Sequence, residues 1–302
     1  MKNITQITML ALAISLASGC SDEAPAPKPQ EKEKTELQKK HDEIFNPSPE
    51  QKAAQEAERN AALPLTNELE ELPKAPREQY TSMDDPLMPM RLYTAHRNWE
   101  EKAELVADDL QYLRPQVGVP TEFSDLTVKY KKVENAFDKA DLAKAIDSFA
   151  KAEAAKLNGN RLVKVDLNRQ AGIMPYDMDS QTFTIDTSLF TDKLTYTDAE
   201  SRSVGRERLP PVKGHLYNGG VEFRYTFTGA TSLETVKVED TAIARSVEGA
   251  RQNAKLVVYG YVKRTQRKHL KGVPYDNPHL YIQPHFVDIV DQGGNVLHTI
   301  EL

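Results

Sequence analysis

Cys20 is the only cysteine in the 302 residues. A lone thiol closes no internal disulfide, so whatever part of this chain folds must rest on apolar burial alone. The material for such burial is unevenly spread. Residues 21–80 carry eight of the eighteen prolines, no glycine and dense mixed charge. Aromatic and β-branched residues are scarce there, so the stretch cannot offset its conformational entropy by burial. Residues 20–86 are therefore expected to be a disordered tether, with the folded body beginning near Leu87. Roughly 215 residues remain, enough for one substantial domain or two small ones packed together.

The segment around the cysteine reads "MKNITQITMLALAISLASGC". Lys2 gives a positive start, and the apolar run from Ile7 to Leu16 is too short to span a membrane, which needs about 20 apolar residues. Small residues Ala17, Ser18 and Gly19 then lead into Cys20. This stretch resembles a bacterial lipoprotein precursor, whose lipobox ends in a small residue and an obligatory cysteine. It departs in having Ala17 where Leu is preferred, with Leu16 one place earlier. The resemblance implies a signal peptide over residues 1–19, lipid on the Cys20 sulfur and an acyl chain on its new amino group. Ser21 follows, not aspartate, and by the family rule this implies the outer membrane if the host is Gram-negative; the protein is expected to face the periplasm.

The body reads as α+β. Met88, Leu92, Ala95, Trp99, Ala103, Val106, Leu110 and Leu113 fall at helical spacing, and Pro115 ends the run. "DLTVKYKKV" (Asp125–Val133) alternates like a short strand. A second helix follows, with stripe Leu142, Ile146, Phe149 and Leu157 and a stop at Asn158-Gly159. After residue 159 the pattern turns to strands: Arg161–Leu167, Thr182–Thr187, Val221–Thr228, Leu233–Val238, Leu256–Thr265, Leu280–Val290 and Val296–Glu301. "YNGGV" and "DQGGNV" mark hairpins, and "EDTAIARSVEGA" a short helix. The expectation is N-terminal helices (residues 87–158) packed with a largely antiparallel sheet (residues 159–302). "YKKVENAFDKADL", "YDMDSQTFTID" and "LVVYGYV" together look like an uncharacterised domain of Gram-negative lipoproteins, a likeness that implies no activity.

Chemistry is sparsely marked. The chain has no G-x-S-x-G elbow, H-E-x-x-H, P-loop or glycine-rich dinucleotide turn. "SFAK" (Ser148–Lys151) matches S-x-x-K, but its K-T-G companion is missing. Asp177 and Asp179 in "YDMDSQ" lack the glycine and distal glutamate of a calcium loop, and a polar turn is the simpler reading. Four of the seven histidines, His269, His279, His285 and His298, lie in the last 34 residues. Separate surface or packing roles are expected of them more than a shared metal. No cofactor is implied.

Charge is more informative. The chain is −6 overall, yet no acidic residue lies between Arg251 and Tyr275, where Arg251, Lys255, Lys263, Arg264, Arg267, Lys268 and Lys271 sum to +7. By strand parity Lys255, Val257, Tyr259, Tyr261 and Lys263 share one face, which His279, Tyr281, Gln283 and His285 would extend. Lys263–Lys271 is expected to be an exposed basic loop. Together with Tyr259 and Tyr261 it would bind anionic lipid, lipopolysaccharide or an acidic envelope protein, or else merely guard a sheet edge. Nucleic acid is not expected outside the cytoplasm. The functional expectation is a membrane-anchored envelope lipoprotein acting as a non-catalytic interaction or assembly module. The alternative is an enzyme acting on an envelope polymer.

Overall fold

A computed structural model describes residues 49–50, 65–113, 115–192, 213–217, 222–269 and 276–302. The chain divides into two compact units, residues 1–56 and 57–302, and every element named below belongs to the second. In chain order these are β1 (Leu65–Glu68), β2 (Thr81–Ser82), α1 (Met88–His96), α2 (Ala103–Leu110), α3 (Thr121–Lys132), α4 (Ala136–Ala155), β3 (Leu162–Asp166), β4 (Gly172–Ile173), β5 (Thr182–Asp186), β6 (Leu216–Tyr217), β7 (Arg224–Phe227), β8 (Thr235–Lys237), α5 (Thr241–Ala250), β9 (Lys255–His269), β10 (Asp276–Val290) and β11 (Val296–Glu301). The α+β expectation holds: α1–α4 precede most strands of a largely antiparallel sheet, with β1 and β2 ahead of them and α5 between β8 and β9.

The helical layer is organised by α4. Its N-cap Asn135 accepts the backbone N–H groups of Phe137 and Asp138 at 2.9 and 3.3 Å, satisfying two donors that the first turn cannot bond internally. Ala143, Ile146, Ala150 and Ala154 form its buried stripe, and α1, α2 and α3 pack around it. Three alanines in that stripe let the neighbouring backbones approach closely.

Two sequence expectations fail in this layer. "DLTVKYKKV" is not a strand but the body of α3. Leu126, Val128 and Tyr130 alternate, yet the buried residues include Phe123, Thr127 and Tyr130, spaced by four and three, which is the helical period. The single helix read over residues 88–113 is broken into α1 and α2. The intervening residues turn Glu101 inward, where the Tyr93 hydroxyl and Trp99 Nε1 donate to its Oε1 at 2.6 and 3.2 Å.

The main sheet runs β2-β3-β9-β10-β7-β6, with β1 on a further stretch of β9 and β11 on a further stretch of β10. β9 and β10 are its long central pair. Their register slips twice: partners jump from Arg264 to Val262, leaving Lys263 extra, and from Pro284 to Phe286, leaving His285 extra. Each bulge exchanges the faces of its strand beyond that point. Leu256, Val258 and Val262 are buried before the first bulge, Thr265 and Arg267 after it. Gly260 is required at the crossing, because a Cβ there would stand 2.3 Å from the Gln283 carbonyl oxygen. A second, three-stranded sheet orders β4-β5-β8.

"DQGGNV" forms the expected hairpin between β10 and β11. Asp291 Oδ1 accepts the Asn295 N–H at 2.8 Å and Gly294 takes φ +85°. β6 and β7 pair antiparallel across "YNGGV", of which residues 218–221 lie outside the described residues. The buried core gathers Met90, Leu92 and Tyr93 of α1, Leu110, Phe123 and Ile146 with Val258, Val262, Leu280, Ile282, Val287 and Ile289 of the central pair. Each such side chain contributes about 1.5–3 kcal/mol by leaving water.

The body does not begin at Leu87. Within residues assigned to the tether, β1 pairs antiparallel with β9, Leu65 opposite Arg267 and Glu68 opposite Arg264. Tyr80 and Met83 are buried at 4% and 1% exposure. Composition misled here because this segment takes its backbone partners and apolar cover from strands nearly 200 residues later. Cys20 lies outside the described residues.

Candidate functional site

The basic run is a strand, not a loop. β9 continues to His269, so the expected exposed loop Lys263–Lys271 is corrected; Lys271 and the Lys268 side chain lie outside the described residues. Each described cation between Lys263 and Arg267 meets a carboxylate distant in sequence. Lys263 Nζ lies 3.4 Å from Glu71 Oε1, and Arg264 Nη1 lies 3.0 Å from Glu68 Oε1. Arg264 also covers the Tyr281 ring, 3.8 Å from its centroid.

Arg267 is 3% exposed. Its Nε donates to Glu101 Oε1 at 2.7 Å and its Nη2 to Asp109 Oδ2 at 2.5 Å, while Arg97 pairs with the other oxygen of Glu101. Burial alone would raise Glu101, but the hydrogen bonds and charges of Arg267 and Arg97 hold its carboxyl below the usual range. At Asp109 burial prevails over Arg267 and pushes the carboxyl up to about 7. These charges are spent within the chain. A buried cation between two carboxylates fixes where β9 meets α1 and α2.

The aromatic face expected to receive a partner is covered by the chain itself. Residues 69–80 cross it as a strap. The Leu69 N–H donates to the Lys263 carbonyl at 2.8 Å, Lys74 pairs with Glu301 at 2.6 Å, and Arg77 makes two 2.7 Å bonds to Asp288. Tyr80 packs edge-on against Tyr259, His285 and Phe286. Tyr259 stacks on Phe286 with centroids 4.6 Å apart, and Tyr261 is buried between His285 and Arg161. His285 itself spans the strap, with Nδ1 2.7 Å from the Tyr80 hydroxyl and Nε2 2.9 Å from the Leu72 carbonyl oxygen.

The remaining sequence candidates do not converge. Ser148 is exposed on α4, and Lys151 turns to Asp147 at 2.7 Å. Asp177 Oδ1 accepts the N–H groups of Asp179 and Ser180, making the turn that starts β5. His279 packs against His215 and Tyr281, away from His285 and from His298 on β11. Among the described residues no three His, Cys, Asp or Glu side chains are grouped to hold a metal.

A recess that the sequence reading did not single out lies where β9 begins. The end of α5, the turn after β3 and the β10–β11 hairpin enclose a cleft of about 690 Å³. Its wall carries five carboxamides, Asn168, Gln170, Gln252, Asn253 and Gln292, together with Arg251 and Lys255, over a floor of Ala171, Ile173 and Ala254. Among the described residues no carboxylate lines it. Arg251 Nε donates to Glu248 at 3.1 Å, and Lys255 Nζ stands 3.8 Å from Asp166 Oδ2, beyond hydrogen-bond length. Local signals set its parts. Asp240 caps α5 by accepting the N–H groups of Ala242 and Ile243, Asn168 takes φ +42° in its turn, and "DQGGNV" presents Gln292. The one sequence signal available was that Arg251 and Lys255 open the acid-free run with Gln252 and Asn253 between them. The five carboxamides come from three distant segments, which no local pattern unites. Comparison with known protein families, curated proteins and solved structures returns no match.

Proposed function

We propose that this chain is a non-catalytic interaction module of the cell envelope. A lipid on Cys20 holds it at the outer membrane, facing the periplasm. The lipobox likeness supports the anchor. The observation that carries the module reading is the open, polar cleft at the start of β9, whose wall among the described residues has two cations and no carboxylate. It moves the expected anionic contact from the Lys263–Lys271 end of the acid-free run to its Arg251–Lys255 end. A photoreactive amino acid at Gln252 tests this in living cells. It should capture an envelope component that the same probe at Lys144, exposed on α4, does not. Equal capture at both sites, or none at Gln252, contradicts the reading.

One observation favours the enzyme alternative. Asp109, with its carboxyl raised to about 7, lines a recess of about 670 Å³ with Asp108, Tyr112 and Glu222. A carboxyl whose pKa is pushed up to about 7 in an open recess suits general acid work on an envelope polymer. Arg267 donates to Oδ2 of the same carboxyl and argues for a structural role. Release of soluble fragments from purified cell-wall polymer by the wild-type chain, lost in Asp109→Asn, would favour the enzyme.

A further inference from the structure

The carboxamide cleft is built for hydroxyl groups more than for charge. We infer that it binds a glycan carrying a single anionic substituent, a phosphate or a carboxylate; this rests on the interaction-module reading and names its ligand class.

A carboxamide offers two N–H donors beside a carbonyl acceptor, and a sugar hydroxyl both donates and accepts. Neighbouring hydroxyls on a ring therefore pair with one carboxamide in a way that a carboxylate, which only accepts, does not. None of the five carboxamide side chains here is taken up by a hydrogen bond to another described residue. Asn168, Gln170, Gln252, Asn253 and Gln292 are all exposed, so their donors and acceptors face water that a ligand would replace. Ala171, Ile173 and Ala254 offer a small apolar floor for the C–H face of a sugar ring. The volume lies within the range of about 300–1,000 Å³ typical of small-ligand sites.

Charge sets the substituent. Arg251 is the C-cap of α5, where its cation first offsets the negative end of the helix, and its Nε is held by Glu248. Lys255 is the freer cation, with a side chain 44% exposed and only a loose 3.8 Å ion pair to Asp166 among the described residues. One available ammonium matches one anionic group. An acidic protein segment would instead need a cation for each carboxylate, and five neutral amides against two cations is the wrong ratio for it.

The test uses the detergent-solubilised full chain with four probes: glucose, glucose 6-phosphate, inorganic phosphate and hexaglutamate. Ligand-detected NMR and calorimetry should show glucose 6-phosphate binding at least about threefold more tightly than glucose, the added strength of a charge-assisted bond. Neither inorganic phosphate nor hexaglutamate should displace it. Replacing Gln252→Leu together with Asn253→Leu should weaken both sugars about tenfold with the melting temperature unchanged, since both residues are exposed. Lys255→Met should abolish the preference for the phosphorylated sugar and spare glucose binding. Absence of sugar binding, insensitivity to the double replacement, or displacement by hexaglutamate overturns the inference. If Gln252 still captures an envelope component in cells while no sugar binds, the module reading stands and the glycan falls. If sugars bind and nothing is captured, the site exists but the module reading fails.

Discussion

Arg77 grips Asp288 with two nitrogens, Nε and Nη2, each 2.7 Å from a different carboxylate oxygen, and its guanidinium lies 4.9 Å from the Phe286 ring centroid. Asp288 is fully buried, and Thr299 also donates to it at 2.7 Å. The pair fastens the 69–80 strap to β10. Arg77→Met would leave a buried carboxylate with one donor. Urea denaturation should show a loss of about 2–3 kcal/mol, tempered because the Arg77 side chain remains 44% exposed. An unchanged midpoint would contradict the contact.

His285 gives the strap a pH dependence. The neutral ring protonated at Nε2 donates to Leu72 and accepts from Tyr80, satisfying both contacts. Burial holds its pKa below the ordinary value, with Lys74 adding to the effect and the Leu72 hydrogen bond opposing it. The unfolded chain therefore takes up this proton more readily, near pH 6.5. Its contribution is constant above that value and is lost as pH falls through the native pKa. His285→Gln, whose amide can donate to Leu72 and accept from Tyr80, should flatten the decline in urea midpoint below about pH 6.5. An identical decline in both proteins would refute the assignment.

Arg267 holds the layers together. Arg267→Met leaves Asp109 without its described partner and takes one of the two arginines from Glu101, which keeps Arg97, Tyr93 and Trp99, and should cost about 3–5 kcal/mol. Asp109→Asn keeps an acceptor for Arg267 and should be far milder. Because burial raises Asp109 to about 7, its contribution is full below the unfolded value near 4 and is lost as pH rises through 7. The asparagine variant should lack that slope. Equal losses from the two replacements would contradict the described network.

Where partners are local, the sequence was legible. Val296–Glu301 forms its strand over the expected residues, Asn158-Gly159 follows α4, and "DQGGNV" turns as its glycines require. Arg267 was not legible, because its carboxylates lie 166 and 158 residues away and local charge counting sees only neighbours. His285 broke strand parity by bulging, and parity cannot register an inserted residue. The strap failed for a related reason: residues 65–80 look like linker until β9 supplies their partners.

A chain beginning at Leu87 lacks β1, the strap and Arg77, and should express as aggregated or protease-sensitive protein. A chain beginning at Leu65 should resist limited proteolysis. Equal resistance of the two would restore the boundary at Leu87.

We propose that the envelope is recognised at the carboxamide cleft. Hydrogen exchange measured on the detergent-solubilised chain, with and without a solubilised envelope fraction, tests it most directly. Slowed exchange confined to residues 168–173, 250–255 and 291–294 is the predicted result. Protection centred instead on the strap or on residues 263–269, or no protection anywhere, would contradict it.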